Sequence, residues 1–488
     1  MTSNSILLRR SLFILVGLLT LAVTSFAQPR QYKLGLRFND QQYLKMPKKA
    51  RNIQFKGILP SAYSLANFMP SVGDQGEFGT CVAWASAYYM RTIMQARQQG
   101  LSGSAIDATR FSPAYLYERI KLRNDNECQG GATLVDALDV MKKTGNMLLS
   151  QVSYPQCGAD LSRYDNEAAQ YRIEGYATLF DILQGASTEK IGAIKAALAE
   201  GENAVVIGMQ VPRSFIQAGD TWRASPGETP EASLGGHAMT VIGYDDNKNG
   251  GSFLIVNSWG TGWGNKGYTW GNYEDVVRFT RYAFQTYSGN VPNPAPSTIA
   301  LQSGMDFTLR NGAAMPVYSI QEKGLDTKDD SQVEMITYRM SQPYVSGTQF
   351  KMAVNNNKQA YMYIIGSDDV YRTTKLFPYS GTTENISPIV PQNSNVMLPA
   401  SNRSFTMDNQ VGNDYFLVLV ADKELNFEEV VGKIKAAPGD FKEKVYSALG
   451  SELIAPADIQ YEPNRVAFQV KGNPKGSIVP LLVMIEHK

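Results

Sequence analysis

The chain has little histidine and little cysteine. Of 488 residues, two are histidine and three are cysteine. One histidine, His487, stands next to the C-terminal Lys488, so any chemistry that needs an imidazole in the body of the chain falls to His237. A zinc site made of Cys81, Cys128, Cys157 and His237 is excluded by spacing. Structural zinc ligands come in close pairs such as C-x₂₋₄-C, whereas these are 47, 29 and 80 residues apart (128 − 81, 157 − 128, 237 − 157). No metal and no cofactor is expected. Charge of one sign is lacking too. The chain has 46 basic and 45 acidic residues, net +1, which offers nothing to a nucleic acid or an anionic membrane surface. A modest basic cluster at Lys45 to Arg51 reads as a solvated face or an extended arm. Long hydrophobic runs are missing: the longest apolar stretch, Leu12 to Val23, has 12 residues, against about 20 for a membrane span. No internal repeat is present.

What is present is a thiol, a base and an amide in order. Cys81 lies in Asp-Gln-Gly-Glu-Phe-Gly-Thr-Cys-Val-Ala-Trp (Asp74 to Trp84), His237 in Gly-Gly-His-Ala-Met (Gly235 to Met239), and Asn257 begins Asn-Ser-Trp-Gly. A nucleophilic thiol needs a base, and the base needs an orienting group. Cys81 opens a predicted helix running to about Gln99, between Gly79 and Gly100. A helix N-terminus favours the thiolate, and an adjacent imidazolium can lower a thiol pKa to about 3–4. Each residue alone also has a plain reading: Cys81 as a small core residue, His237 as a satisfied core histidine, Asn257 as a turn cap. The register of all three weighs against those readings.

Together these segments resemble the papain-like cysteine peptidases. Gln75 precedes Cys81 by six residues, where that family has its oxyanion-hole glutamine, and Gly76 and Gly79 fall on family glycines. Asn257 to Tyr268 is similar to the family's asparagine segment almost residue for residue. Cys128-Gln129-Gly130-Gly131 resembles the cleft motif whose second glycine pairs its backbone with bound peptide, and Leu59-Pro60 resembles the start of a mature peptidase domain. The resemblance implies catalytic roles for Cys81, His237, Asn257 and Gln75. It implies substrate contacts at Gly130, Gly131, Gly236 and Trp259, with Trp259 also shielding the His237–Asn257 hydrogen bond. For Cys128 and Cys157 it favours a disulfide near the cleft, with two free thiols as the alternative. The chain departs from the family in several places, among them a longer spacing from Cys81 to His237 (237 − 81 = 156) and Gly236 before the histidine. Val82-Ala83-Trp84 follows the nucleophile where the family has Trp, Ala and Phe. Phe78 stands where the family has a cysteine, so one usual disulfide cannot form. Small residues at Ala132, Thr133 and Gly236 suggest a roomy pocket.

The expected organisation is a signal peptide (1–27), a lead-in (28–56), a papain-like peptidase (57–287), a Pro-rich linker (288–300) and a β-rich C-terminal accessory domain (301–488). Arg9-Arg10, the apolar stretch and Ser25-Phe26-Ala27 have the form of a secretory signal. With the domain pairing, this points to bacterial export into a periplasmic or external space where a disulfide survives. The lead-in is short for an inhibitory prosegment, so either no zymogen control or a minimal strand-like plug is expected. The fold class expected is α+β: a two-lobed papain-like peptidase with a helical lobe and a β lobe, then a mostly β sandwich-like domain with a helical insertion near Glu428 to Leu449. Segments Gln359 to Ile365 and Lys375 to Pro378 resemble an uncharacterised domain found beside bacterial peptidases. The function expected is hydrolysis of peptide bonds through a thioester. The alternatives are acyl transfer on the same fold and a catalytically silent peptide-binding module. The expected partners are a peptide or protein substrate and a protein or cell-surface ligand for the C-terminal domain.

Overall fold

The computed structural model describes residues 32–49, 59–182, 187–201, 203–288, 299–320, 335–379, 385–390, 395–399 and 404–488. The expected signal peptide and most of the expected linker lie outside these residues, as does the lead-in before 32 and after 49.

The nucleophile helix runs from Cys81 to Gln99 in three continuous pieces: α-helical Cys81–Ala83, π-helical Trp84–Arg91 and α-helical Thr92–Gln99. Gly100, at φ 62°, ends it in the left-handed conformation that glycine adopts at least cost. Every residue of the π stretch is buried. A helix enclosed on all sides needs no polar stripe, and this one lies between the two lobes. Ser112 caps helix Pro113–Ile120, its hydroxyl accepting from the Tyr115 N–H. Thr133 caps Leu134–Lys143 in the same way, through the Asp136 N–H. These helices and the nucleophile helix enclose one apolar core that includes Cys81, Leu116, Leu134 and Leu138.

The β lobe is a largely antiparallel sheet. Its strands lie in the order Gly175–Thr178, Thr280–Tyr287, Val205–Gln210, Gly236–Asp245, Ser252–Val256, Tyr268–Asn272. The strand that begins at Gly236 is central and buried on both faces, which is why Ala238 to Tyr244 reads as a continuous apolar run.

Beyond residue 298 the chain forms two facing sheets. In the first, Ile299–Leu309 pairs with Gln349–Asn356 and Val466–Lys471. In the second, Gly412–Ala421 pairs with Ile478–His487 and Ala360–Ser367. Alternation along the strands decides what each face meets. Met362, Ile364, Val418 and Val420 point into the sandwich. Tyr361, Tyr363, Leu417 and Leu419 point out, against helices Phe427–Ala436 and Phe441–Leu449. Pro438 and Gly439 (φ 94°) separate those helices, and Asp440 and Glu443 form a reciprocal capping box.

The two halves are packed together. Ala177 and Tyr287 of the β lobe join the outward apolar cluster of the second sheet. Tyr361 Oη donates to Glu174 Oε1 at 2.7 Å, and Lys142 pairs with Glu424 at 2.6 Å.

Candidate active site

Cys81 starts the nucleophile helix, and His237 is the second residue of the central strand of the β lobe. The helix packs on that strand: Thr240 Oγ1 donates to Ala85 O at 3.0 Å, and the Ala238 N–H reaches Cys81 Sγ at 3.5 Å. The thiol therefore lies beside the residue that follows the histidine. His237 Nε2 and Asn257 Oδ1 are 2.8 Å apart. The other ring nitrogen, Nδ1, is buried without a hydrogen-bond partner among the described residues. The Trp259 ring stacks on the imidazole, centroids 4.5 Å apart at 27°, and closes it from above.

Gln75 is fully buried and its amide is held in one orientation. Ser258 Oγ donates to Gln75 Oε1 at 2.7 Å, which leaves Nε2 to donate to Phe78 O (2.7 Å) and Lys33 O (3.1 Å). Tyr154 braces the loop between Gln75 and Cys81. Its hydroxyl donates to Gln75 O at 2.8 Å and lies 2.7 Å from Thr80 Oγ1. Phe78, in the place of the family cysteine, packs edge-on against the Tyr154 ring. Cys128 and Cys157 are disulfide-bonded to each other, and Gly79 N donates to Cys128 O at 2.7 Å, so the bridge adjoins the nucleophile loop.

The cleft between the lobes is filled by the lead-in. Tyr32 stacks on Trp259 (4.6 Å), and Lys33 O also accepts from Trp259 Nε1 at 3.3 Å. Leu36 N donates to Gly236 O (3.0 Å), Ala132 N to Gly35 O (2.9 Å) and Arg37 N to Ala132 O (2.8 Å). The Leu36 side chain is buried in the core formed by Ala132, Leu134, Ala238 and Tyr282. Glycines make this fit possible. A Cβ on Gly131 would sit 2.3 Å from Gly35 O, and one on Gly236 would sit 2.3 Å from Leu36 O. Gly130 N is held by Asp125 Oδ2 at 3.0 Å and Gly131 N by Tyr117 Oη at 3.0 Å. On that wall of the cleft, backbone pairing with the lead-in falls to Ala132, one residue beyond the glycine expected to pair with bound peptide, while Gly236 pairs with it from the opposite lobe. Tyr154 and the segment Tyr32 to Phe38 belong to none of the segments that carry the resemblance, although a minimal strand-like plug is among the expectations for the lead-in.

The cover sets the charge state. Burial pushes the Cys81 thiol up to about 11 from 9.0, against the lowering effect of N–H groups from Ala238, Gly35 and Val82. Burial likewise pulls His237 down to about 4 from 6.5, against the raising effect of Asn257. Burial of both groups thus favours the neutral thiol and neutral imidazole over a thiolate–imidazolium pair in this form. Among the described residues, no group of His, Cys, Asp and Glu stands close enough to hold a metal ion.

Comparison with known proteins agrees with this layout. Residues 62–281 match the family model of the papain family cysteine proteases, and residues 343–424 match that of a domain of unknown function, DUF4384. The chain is similar to cathepsin K of Mus musculus, with 27% identity over 220 residues, covering 44% of this chain and 60% of that protein. It is similar to cathepsin K of Gallus gallus, with 29% identity over 204 residues, covering 41% of this chain and 54% of that one. The matched region therefore spans little more than half the length of these relatives. Among solved structures, xylellain, a cysteine protease from Xylella fastidiosa, aligns at 23% identity and a TM-score of 0.41, over 53% of this chain and 96% of that one. Residues 62–281 thus belong to the papain family of cysteine proteases, and they are followed by a domain of the DUF4384 family.

Proposed function

We propose that the protein is an exported cysteine peptidase, described here in a latent form. On release of the lead-in, water re-enters the cleft, and the thiol proton passes to His237. The Cys81 thiolate attacks the scissile carbonyl carbon and forms the C–S bond. Gln75 Nε2 and the Cys81 N–H donate to the oxyanion. The C–N bond then breaks, and the imidazolium returns the proton to the leaving amine. Water, deprotonated by His237, hydrolyses the thioester and frees the acid. Asn257 holds the imidazole, and Trp259 keeps water from that hydrogen bond.

One observation carries this reading: Gln75 Nε2, fixed by Ser258, already donates to a peptide carbonyl, that of Lys33, lying across the cleft. Gly131 and Gly236 would admit a substrate backbone as they admit the lead-in. Export is supported by the signal-like N-terminus, by the Cys128–Cys157 disulfide and by the lack, among the described residues, of any helix long and apolar enough to cross a membrane. The test uses protein with a specific-protease site in place of residues 52–55, cut and freed of its lead-in. It is incubated with a diverse peptide mixture, with and without an added amine acceptor, and the products are read by mass spectrometry. Hydrolysis products should appear and fall at least about 10³-fold in Cys81→Ala. Amine adducts in place of acids would establish acyl transfer. No turnover, with Cys81 alkylating at the rate of a free thiol, would leave only a binding module.

A further inference from the structure

After crossing the cleft, the lead-in forms a short helix, Asp40–Leu44, and then an extended strand, Pro47–Lys48. That strand lies between two others from different halves of the molecule. On one side it runs parallel to Gly175–Thr178 of the β lobe, with Lys48 opposite Thr178. On the other it runs parallel to Asn385–Ile386 of the C-terminal domain, with Pro47 opposite Asn385 and Lys48 opposite Ile386. Main-chain bonds fasten both sides: Lys49 N donates to Thr178 O at 2.9 Å, and Ser387 N donates to Lys48 O at 2.8 Å. The Lys48 side chain is buried, and its ammonium pairs with Asp181 at 2.5 Å. Ile386 is buried on the far side, and Ile389 packs near Gly175, so the C-terminal domain is seated against the β lobe next to this strand.

Two outer strands with one strand between them stand about 9–10 Å apart, two strand spacings. Without the middle strand, each would present unpaired backbone groups, which is the ordinary template for strand addition. We propose that the gap between Gly175–Thr178 and Asn385–Ser387 is a binding site for an extended peptide strand. The β lobe and the C-terminal domain build it jointly, and residues 47–49 of the lead-in are its ligand. Through this site the C-terminal domain holds the inhibitory segment on the peptidase. The proposal rests on the reading that Tyr32 to Phe38 blocks a peptidase cleft, and it gives the C-terminal domain a task in that regulation. A cut between residues 49 and 59 severs the lead-in from the peptidase but leaves its three footholds in place: cleft, helix and clasp. Linked footholds raise one another's effective concentration, so weakening the clasp should shorten the residence of the whole segment.

The test uses the full chain with the cleavable site at residues 52–55 and Cys81→Ala, so that release is read without self-digestion. After the cut, native mass spectrometry follows departure of the lead-in. Ser387→Pro removes the N–H that bonds Lys48 O and should speed release at least tenfold. The pair Pro47→Cys with Asn385→Cys should tether the strand, so that the cut lead-in stays bound until reductant is added. Release of Ser387→Pro at the parent rate, with its melting unchanged, would overturn the proposal. If Ser387→Pro misfolds, the tether decides: a cut lead-in that leaves under non-reducing conditions also overturns it. A parallel series that keeps Cys81 measures its alkylation. Faster release without faster alkylation upholds the clasp and sinks the blocked-cleft reading. Alkylation that rises on full removal of the lead-in, with release unaffected by Ser387→Pro, sinks the clasp alone.

Discussion

In the covered form burial favours the neutral state of both Cys81 and His237. His237 has its pKa depressed, from 6.5 to about 4. Between those values the covered form binds fewer protons than a form with the imidazole in water. Its contribution to keeping the cover closed is fully present above 6.5 and is lost as pH falls to about 4. Asp40 acts in the same direction: its hydrogen bond from Arg281 holds its carboxyl below 3.8, and protonation would end that anchor. Cys81 is the opposite case. Against an isolated thiol its raised pKa would favour the cover below 9.0 and be lost as pH rises through about 11, but on release beside His237 the thiol proton only moves to the imidazole, so the pair exchanges no proton with solvent. In the Cys81→Ala variant, where His237 has no thiol to draw a proton from, release of a cut lead-in should therefore be slowest above about pH 7. It should speed up below 6.5, approaching on the order of tenfold per pH unit; a profile flat from pH 7 to 4 would contradict the burial argument. In released enzyme, Gln75→Ala should lower kcat by about 10²–10³-fold with KM little changed, and steady-state kinetics checks this. Cys81, His237 and Asn257 were legible in the sequence as a thiol, a base and an orienting amide in order, whereas Gln75 and Trp259 were named through the family resemblance. The roles of Ser258 and Tyr154 were not legible, because they act on a neighbour's amide orientation or carbonyl, which no residue spacing records.

At the scale of elements, a helix start was legible where an N-cap residue opens it, as Ser112 before Pro113 and Thr133 before Leu134. The π stretch Trp84–Arg91 was not, because its residues suit an α-helix equally well and the wider turn is set by packing. The lead-in helix Asp40–Leu44 is too short to show a period. Tertiary contacts hold it in place. Tyr43 is 1% exposed, stacks on Tyr282 with centroids 4.3 Å apart, and donates to Phe180 O at 2.7 Å. Tyr282 Oη donates in turn to Asp40 Oδ1 at 2.6 Å. Truncating a large buried aromatic costs about 3–5 kcal/mol. Here that loss falls on docking of the lead-in and not on folding of the lobes. Tyr43→Ala should therefore raise Cys81 alkylation in the uncut chain by at least about tenfold while the melting temperature of the lobes stays close to the parent's. Unchanged alkylation would show that the cleft segment holds itself without this anchor.

At the scale of the whole molecule, the composition change after the linker announced a second, β-rich body, but not how its strands pair. Ile299–Leu309 lies between strands that begin at Gln349 and Val466, and such long-range pairing follows from which faces must be covered, not from local pattern. The contact between the two halves was equally hidden. Outward tyrosines on a strand read as a solvated face, yet Tyr361 and Tyr363 are each 1% exposed, under the helices and the β lobe. Ala177 lies at the β-lobe side of that contact. Its neighbour Tyr176 points instead into the helical-lobe core, so residue 177 can be changed with little direct effect on that core. Ala177→Asp places a carboxylate in the apolar cluster that includes Tyr361, Ile389 and Leu417. An unpaired buried charge costs several kcal/mol, and parting the halves is the least costly way to hydrate it. Packed as they are, the halves should unfold together in a single calorimetric transition, whereas Ala177→Asp should give two. A single transition retained in the variant would mean that the bond between the halves lies elsewhere, in the strand that both of them share with the lead-in.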